Sequence, residues 1–348
     1  MTLRDAANPT GHAAVARLYH NWITGLVLSL THRAGVPVAA DFVFRLFRQQ
    51  HLKRFLPGLE KLGLTDKPDA VACAMYHYLS NQIGGVKVEY LAESDKKAWV
   101  RYPPPRWIWD GTAICGIPTE VNLQMMRGWH AHNGVSLNNP RLGFVCTGMT
   151  TDGAPGLEGY YFEYDYELTE DQRLRFAPDE TCPPIDRASM PQLDVKQWPE
   201  QRQAKAYLYY AMEYISNALP LLESTGDTQL VATGELCARQ TGMHGADLLA
   251  RAFDCRALSD TLTSPAAMAS DLVQLLASVL AADGSTVSCD NNTVRLSDWR
   301  LFEQASVSDA TLNQVSACLA GIVATHNRFL SLSVHRGSDQ IAWTLQST

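Results

Sequence analysis

The sequence predicts an α+β fold made of two tandem units, each a small antiparallel sheet packed with helices. Three observations carry that expectation. A shift of 194 positions lays Val100-Arg101 on Val294-Arg295, Arg106 on Arg300, Val121 on Val315 and His132-Asn133 on His326-Asn327. The hydrophobic period changes in the same order in each half: a helix, two short strands, a long helix ending in His-Asn, then two more strands. Between the halves lies a Pro-, Asp- and Glu-rich stretch without periodicity. Two copies of one unit usually pair pseudo-symmetrically, each covering the other's open face.

The elements follow in order. Residues 12–32 and 40–56 repeat apolar side chains every three or four positions, the mark of a helix with one buried face. Gly35 and Pro37 part them, and Asp41 offers the second an N-cap. A third helix spans 68–82 and stops at the Gly84-Gly85 turn. Period two then takes over in Val86, Val88 and Tyr90, followed by a strand over 98–102 that three prolines end by removing ladder donors. A helix over 120–133 closes at Asn133-Gly134, and strands 142–149 and 160–168 form a hairpin. Beyond the 169–200 linker, helices over 200–223, 230–253 and 265–282 precede strands 286–290 and 293–296. A helix over 309–325 and a hairpin of 329–335 with 340–345 complete the second unit. The expected domains are 1–168, with the N-terminal helices, first unit and ligand pocket, and 201–348, a degenerate second unit.

Hydrophobic residues at 46% and charged residues at 19% describe a globular chain long enough for two cores. A net charge of −7 speaks against nucleic acid or an anionic membrane as partner. The nearest thing to a basic cluster, Arg45, Arg48, Lys53 and Arg54, reads as the solvated face of a helix. Eight dispersed cysteines without CxxC pairs suggest a reducing compartment. The apolar run 22–30 is too short to span a membrane and lacks a cleavage site, so a cytoplasmic location is expected. Neither G-x-S-x-G, nor a P-loop, nor a dinucleotide fingerprint occurs.

The two hairpins, CTGMTTDGAPGLEGYYFEY over 146–164 and LSVHRGSDQIAWTL over 332–345, share a strand, a Gly/Asp turn and an aromatic-bearing strand. With the ES-x-x-x-x-x-VRY strand over 93–102 before the first, the chain resembles the V4R-type domains and the related family named for L-2-amino-thiazoline-4-carboxylate hydrolase. The resemblance covers 70–170 well and 230–348 weakly. It implies two V4R-like units and a small hydrophobic or aromatic ligand, since some members are sensors and others are called hydrolases. It also implies a zinc site of several cysteines and an acid near the last hairpin. Here only Cys146 lies in that region, so no cofactor is expected, and metal analysis is the check on zinc with His130, His132 and Cys146 as ligands.

Candidate chemistry concentrates in the first unit. His130 and His132 end the predicted helix, where they serve as general acid/base groups or bond the negative end of the helix dipole. His132 recurs as His326, whereas His130 does not recur and is the better candidate for specific chemistry. Alternation puts Tyr161 and Glu163 on one strand face, a phenol beside a carboxylate, although a solvated sheet face gives the same pattern. Arg106, Trp107 and Trp109, in a proline-stiffened segment, are the expected substrate-binding residues, or else a core plug. Cys146 joins them as a pocket residue, with a buried inert thiol as the bland alternative.

The expected function is a cofactor-independent hydrolase or lyase for a small cyclic or aromatic molecule, using His130, His132, Glu163 and Tyr161. The alternative is a non-catalytic small-molecule binding or sensing module. The expected partners are that small molecule and, for the whole chain, a second copy in a homodimer.

Overall fold

The computed structural model describes residues 8–104, 110–188, 190–193, 196, 198–255, 265–302 and 307–347. It has the predicted α+β architecture, with small sheets packed against helices. The chain divides into two compact units: a central one, Leu30–Pro199, and a terminal one that joins Met1–Ser29 to Glu200–Thr348. Both expected domain boundaries are thereby corrected. Helix α1 (Pro9–Arg33) contributes its residues up to Ser29 to the terminal unit, where Leu18, Trp22 and Ile23 are buried and Leu18 meets Gly245. The described residues of 169–199 group with the central unit.

The central unit holds helices α2 (Val36–Lys61), α3 (Asp69–Ile83), α4 (Thr119–Gly128) and the one-turn α5 (Asn133–Ser136). Its strands are β1 (Glu89–Ser94), β2 (Lys97–Tyr102), β3 (Leu142–Gly148), β4 (Leu157–Glu163) and β5 (Leu174–Phe176), in the order β1-β2-β4-β3-β5. Ala34 and Gly35 separate α1 from α2, while Pro37 falls in the first turn of α2. The N-cap is Gly35, however, and Asp41 lies inside the helix, ion-paired with Arg45.

Strand alternation gives the sheet two different faces. Val100, Tyr102, Phe144 and Tyr161 face the helices. Trp99, Val145 and Tyr160 form the core of the other face, with Ala177 and Cys182 packed on it. The supposed linker is the cover of that second face. Its β5 pairs in parallel with β3, Arg187 Nη2 reaches the buried Glu89 at 2.6 Å, and Tyr78 donates to the Pro191 carbonyl at 2.9 Å. The contacts described for this cover are single ones, a short parallel pairing, one ion pair and one hydrogen bond, and impose no period.

The terminal unit holds helices α6 (Glu200–Ser224), α7 (Thr228–Ala252), α8 (Pro265–Ala281) and α9 (Asp309–His326). Strands β6 (Thr286–Asp290), β7 (Thr293–Asp298), β8 (Leu330–Arg336) and β9 (Ile341–Ser347) form a sheet in the order β6-β7-β9-β8. That order matches β1-β2-β4-β3 of the central unit. Asp227 caps α7 and Ser308 caps α9 through their side chains. Helices α7 and α9 cross closely enough that a Cβ at Gly242 would collide with the Cys318 carbonyl, which explains the glycine. Among the described residues no helix is long and apolar enough to cross a membrane.

Candidate functional site

The local fold around the two histidines decides which way each one faces. The expected helix over 120–133 ends five residues early, at Gly128. There α2 approaches so closely that a Cβ would lie 2.8 Å from the Phe44 carbonyl oxygen. Arg48 of α2 donates through Nε to the Gly128 carbonyl and through Nη2 to that of Arg127, both at 3.0 Å, and so caps the open end of α4. A 3-10 turn, His130–His132, follows, and then α5. Asn133 is therefore buried inside the fold instead of terminating a helix; the left-handed residue is Asn138.

The turn sends His130 inward. Tyr161, 0% exposed, lies 2.7 Å from His130 Nδ1, and Asn133 Nδ2 donates to the same phenol oxygen at 3.0 Å. An oxygen that accepts from Asn133 gives its own proton to His130, whose Nδ1 is then the acceptor. His77 of α3 stacks on His130 at 4.2 Å and bonds Tyr102 through Nδ1 at 3.1 Å. Asn133 Nδ2 stands 3.5 Å from His77 Nε2, so the amide spans both branches of the network.

Burial disfavours the charged forms of His77, Tyr161 and Cys73. It drives the His77 pKa well below the ordinary histidine range, helped by His130 beside it. The Tyr161 phenol and Cys73 thiol are pushed up by the same desolvation, with Asn133 partly offsetting it for both. With His130 only 6% exposed and Tyr161 sealed, a substrate reaches these atoms only if the core opens.

His132 faces the other way, onto a cleft of about 410 Å³ lined also by Phe44, Arg48, Arg127, Arg173 and Leu174. That volume suits a small ligand. Burial, then Arg48 and Arg173, lower the His132 pKa to about 4, so its ring is neutral at pH 7. Three acids share the lining. Asp41 is held by Arg45, and Glu170 acts on the capping Arg48; Asp171 is exposed. Arg173 differs from Arg48: its Nε is buried without a hydrogen-bond partner. A second cleft of about 470 Å³ is lined by Leu56, Leu59, Leu64 and Leu137 with Glu60, Lys67 and Asp69, and offers no guanidinium.

The other expected site residues fall elsewhere. Glu163 accepts from Arg141 at 2.8 Å and from Asn139 at 3.1 Å, away from the histidines. Cys146 is buried, donates to the Gly148 carbonyl, and has its thiol pushed up to about 12 by desolvation, the opposite of an activated nucleophile. Arg106, Trp107 and Trp109 lie outside the described residues. His130, His132 and Cys146 do not converge, so they do not fit zinc. Among the described residues no three His, Cys, Asp or Glu side chains group as a metal site.

Sequence reading missed His77, Asn133, Tyr102, Arg48 and Arg173. Compared with family models, curated proteins and solved structures, the chain matches none of them.

Proposed function

We propose that the central unit is a binding module for a small organic acid, taken in the cleft of His132 and Arg173. One observation carries this reading: Arg173 brings to the cleft a guanidinium whose Nε is buried without a hydrogen-bond partner, beside Arg48 and Arg127 on the same lining. Leaving such a donor unmet costs on the order of 1–3 kcal/mol, which a bound carboxylate recovers through paired N–H···O bonds. Phe44, Pro37, Ala40 and Leu174 supply an apolar wall for the body of the molecule. This agrees with the resemblance to V4R-type domains, whose sensor members bind small hydrophobic or aromatic molecules.

The test is calorimetric titration with benzoate and its aliphatic analogues. Arg173→Ala should weaken binding by about 10- to 100-fold, the worth of a charged hydrogen-bonded pair. Affinity should also rise as pH falls from 7.5 to 5. A bound anion stabilises protonated His132 against Arg48 and Arg173, lifting its pKa from about 4, so the complex takes up protons. Unchanged affinity in Arg173→Ala, or no binding by any of these acids, contradicts the proposal.

A second reading keeps the hydrolase or lyase expectation and rests on the 2.7 Å contact of His130 with Tyr161. It needs an opening that admits substrate to the network. Turnover of a cyclic or aromatic ester or amide that Tyr161→Phe abolishes in the folded protein would favour it over simple binding.

A further inference from the structure

We propose that two copies of the chain associate edge to edge through β8, as an antiparallel pair centred on Ser333. The starting point is a difference between two strands in the same place. Strand β3 and strand β8 both stand beyond the second strand of the closing hairpin, at the end of the shared four-strand order. In the central unit β5 pairs with the far side of β3, and β3 is buried from Leu142 to Thr147. Among the described residues no strand pairs with the far side of β8, and none of its seven residues is buried.

The exposed edge carries little of what prevents pairing: its one fixed charge is Arg336 at the strand end, where Asp309 holds it. Leu-Ser-Leu-Ser-Val-His-Arg contains no proline and no lysine, and it keeps unbroken register with β9 through all seven residues. Its pattern is also self-complementary. Leu332 and Val334 lie opposite Leu345 and Trp343, both buried, so they belong to the core face but remain half-exposed. Ser331, Ser333 and His335 take the polar face with Gln346, Thr344 and Ala342.

A two-fold axis at Ser333 sets Leu332 against Val334 of the second copy, and Val334 against Leu332. Each core would then gain the apolar neighbour it lacks, while all seven residues pair. Charge selects this register over its neighbour. An axis at Leu332 would oppose Arg328 to Arg336, whereas the axis at Ser333 turns Arg328 toward the second copy's 337–340 turn, which carries Asp339. The occupant is therefore another copy of this chain, joining two four-stranded sheets into one of eight strands.

Sedimentation velocity on the full chain should find a dimer at tens of micromolar. Ser333→Lys places two like charges directly opposite at the axis on the polar face, where the fold tolerates it, and should leave a monomer with an unchanged melting curve. Ser333→Cys should form a covalent dimer with diamide as the two-electron oxidant, with the parent protein, whose Cys115 is exposed, treated alongside. Ser331→Cys should crosslink far less, because its opposite number is His335. A monomeric parent protein overturns the proposal. So does a dimer that survives Ser333→Lys, or one that crosslinks equally from both positions.

Discussion

His130→Ala is expected to cost the central unit about 3–5 kcal/mol, far more than the same change at His132. The replacement removes a buried ring packed 4.2 Å from His77 and 4.6 Å from Phe144. Cavity formation of that kind costs roughly 2–5 kcal/mol. It also strips Tyr161 of the acceptor for its hydroxyl proton in a site closed to water, worth another 1–3 kcal/mol or so, partly shared with the first. His132→Ala removes a partly buried, neutral ring from a cleft wall, so its cost should stay below about 1 kcal/mol. Urea denaturation of both variants decides the order, and an equal or reversed cost would mean that the buried network does not hold the core.

Acid should unfold the central unit before the terminal one. His51, fully buried against Phe55 and hydrogen-bonded to Ser136, has its pKa lowered from 6.5 to about 3 by burial and then by His132, His77 and Arg48. His77 is also held well below the ordinary histidine range, again by burial first. The sign follows from proton counting. The unfolded chain binds these protons near pH 6.5 and the folded chain does not, so their stability is complete above that pH and drains away as pH falls. Each pH unit below about 6.5 removes about 1.4 kcal/mol per such histidine. The central unit carries His51 and His77, with His132 at about 4; the terminal unit carries His20, lowered to about 3 by burial against Tyr207, Tyr210 and Tyr214. In the terminal unit Asp283, whose pKa burial raises, opposes the loss. Hydrogen exchange at pH 7 and pH 5 should therefore show protection lost first in α2 and α3. Equal protection in both units at both pH values would contradict this.

The sequence and the structure agree where a residue's neighbours are periodic. The helices and both hairpins were legible because burial of one face imposes a repeat on the chain. The failures share a cause. Residues 169–199 cover a sheet face through single contacts, such as Arg187 on Glu89, and leave no repeat to read. The early end of α4 is dictated from α2, 80 residues away, by the approach of Phe44 and the capping by Arg48. His77 meets His130 only because α3 lies over the sheet, and nothing in the 70–83 pattern distinguishes it from a core histidine. His130 and Tyr161 were named in the sequence as separate acid/base candidates, and the structure sets them 2.7 Å apart. Glu163 was not to be found there, because Arg141 and Asn139 hold that carboxylate at the end of β4.

The central claim is that the cleft on His132 receives the ligand while the His77–His130–Tyr161 network is scaffold. Ring-labelled histidine spectra of the full chain, titrated with benzoate at pH 6.5, test it most directly. The resonances assigned to His132 should move with saturation, those of the adjacent His51 should follow more weakly, and those of His77 and His130 should stay in place. Movement of His77 and His130 with His132 unchanged would put the ligand in the core and reverse the account.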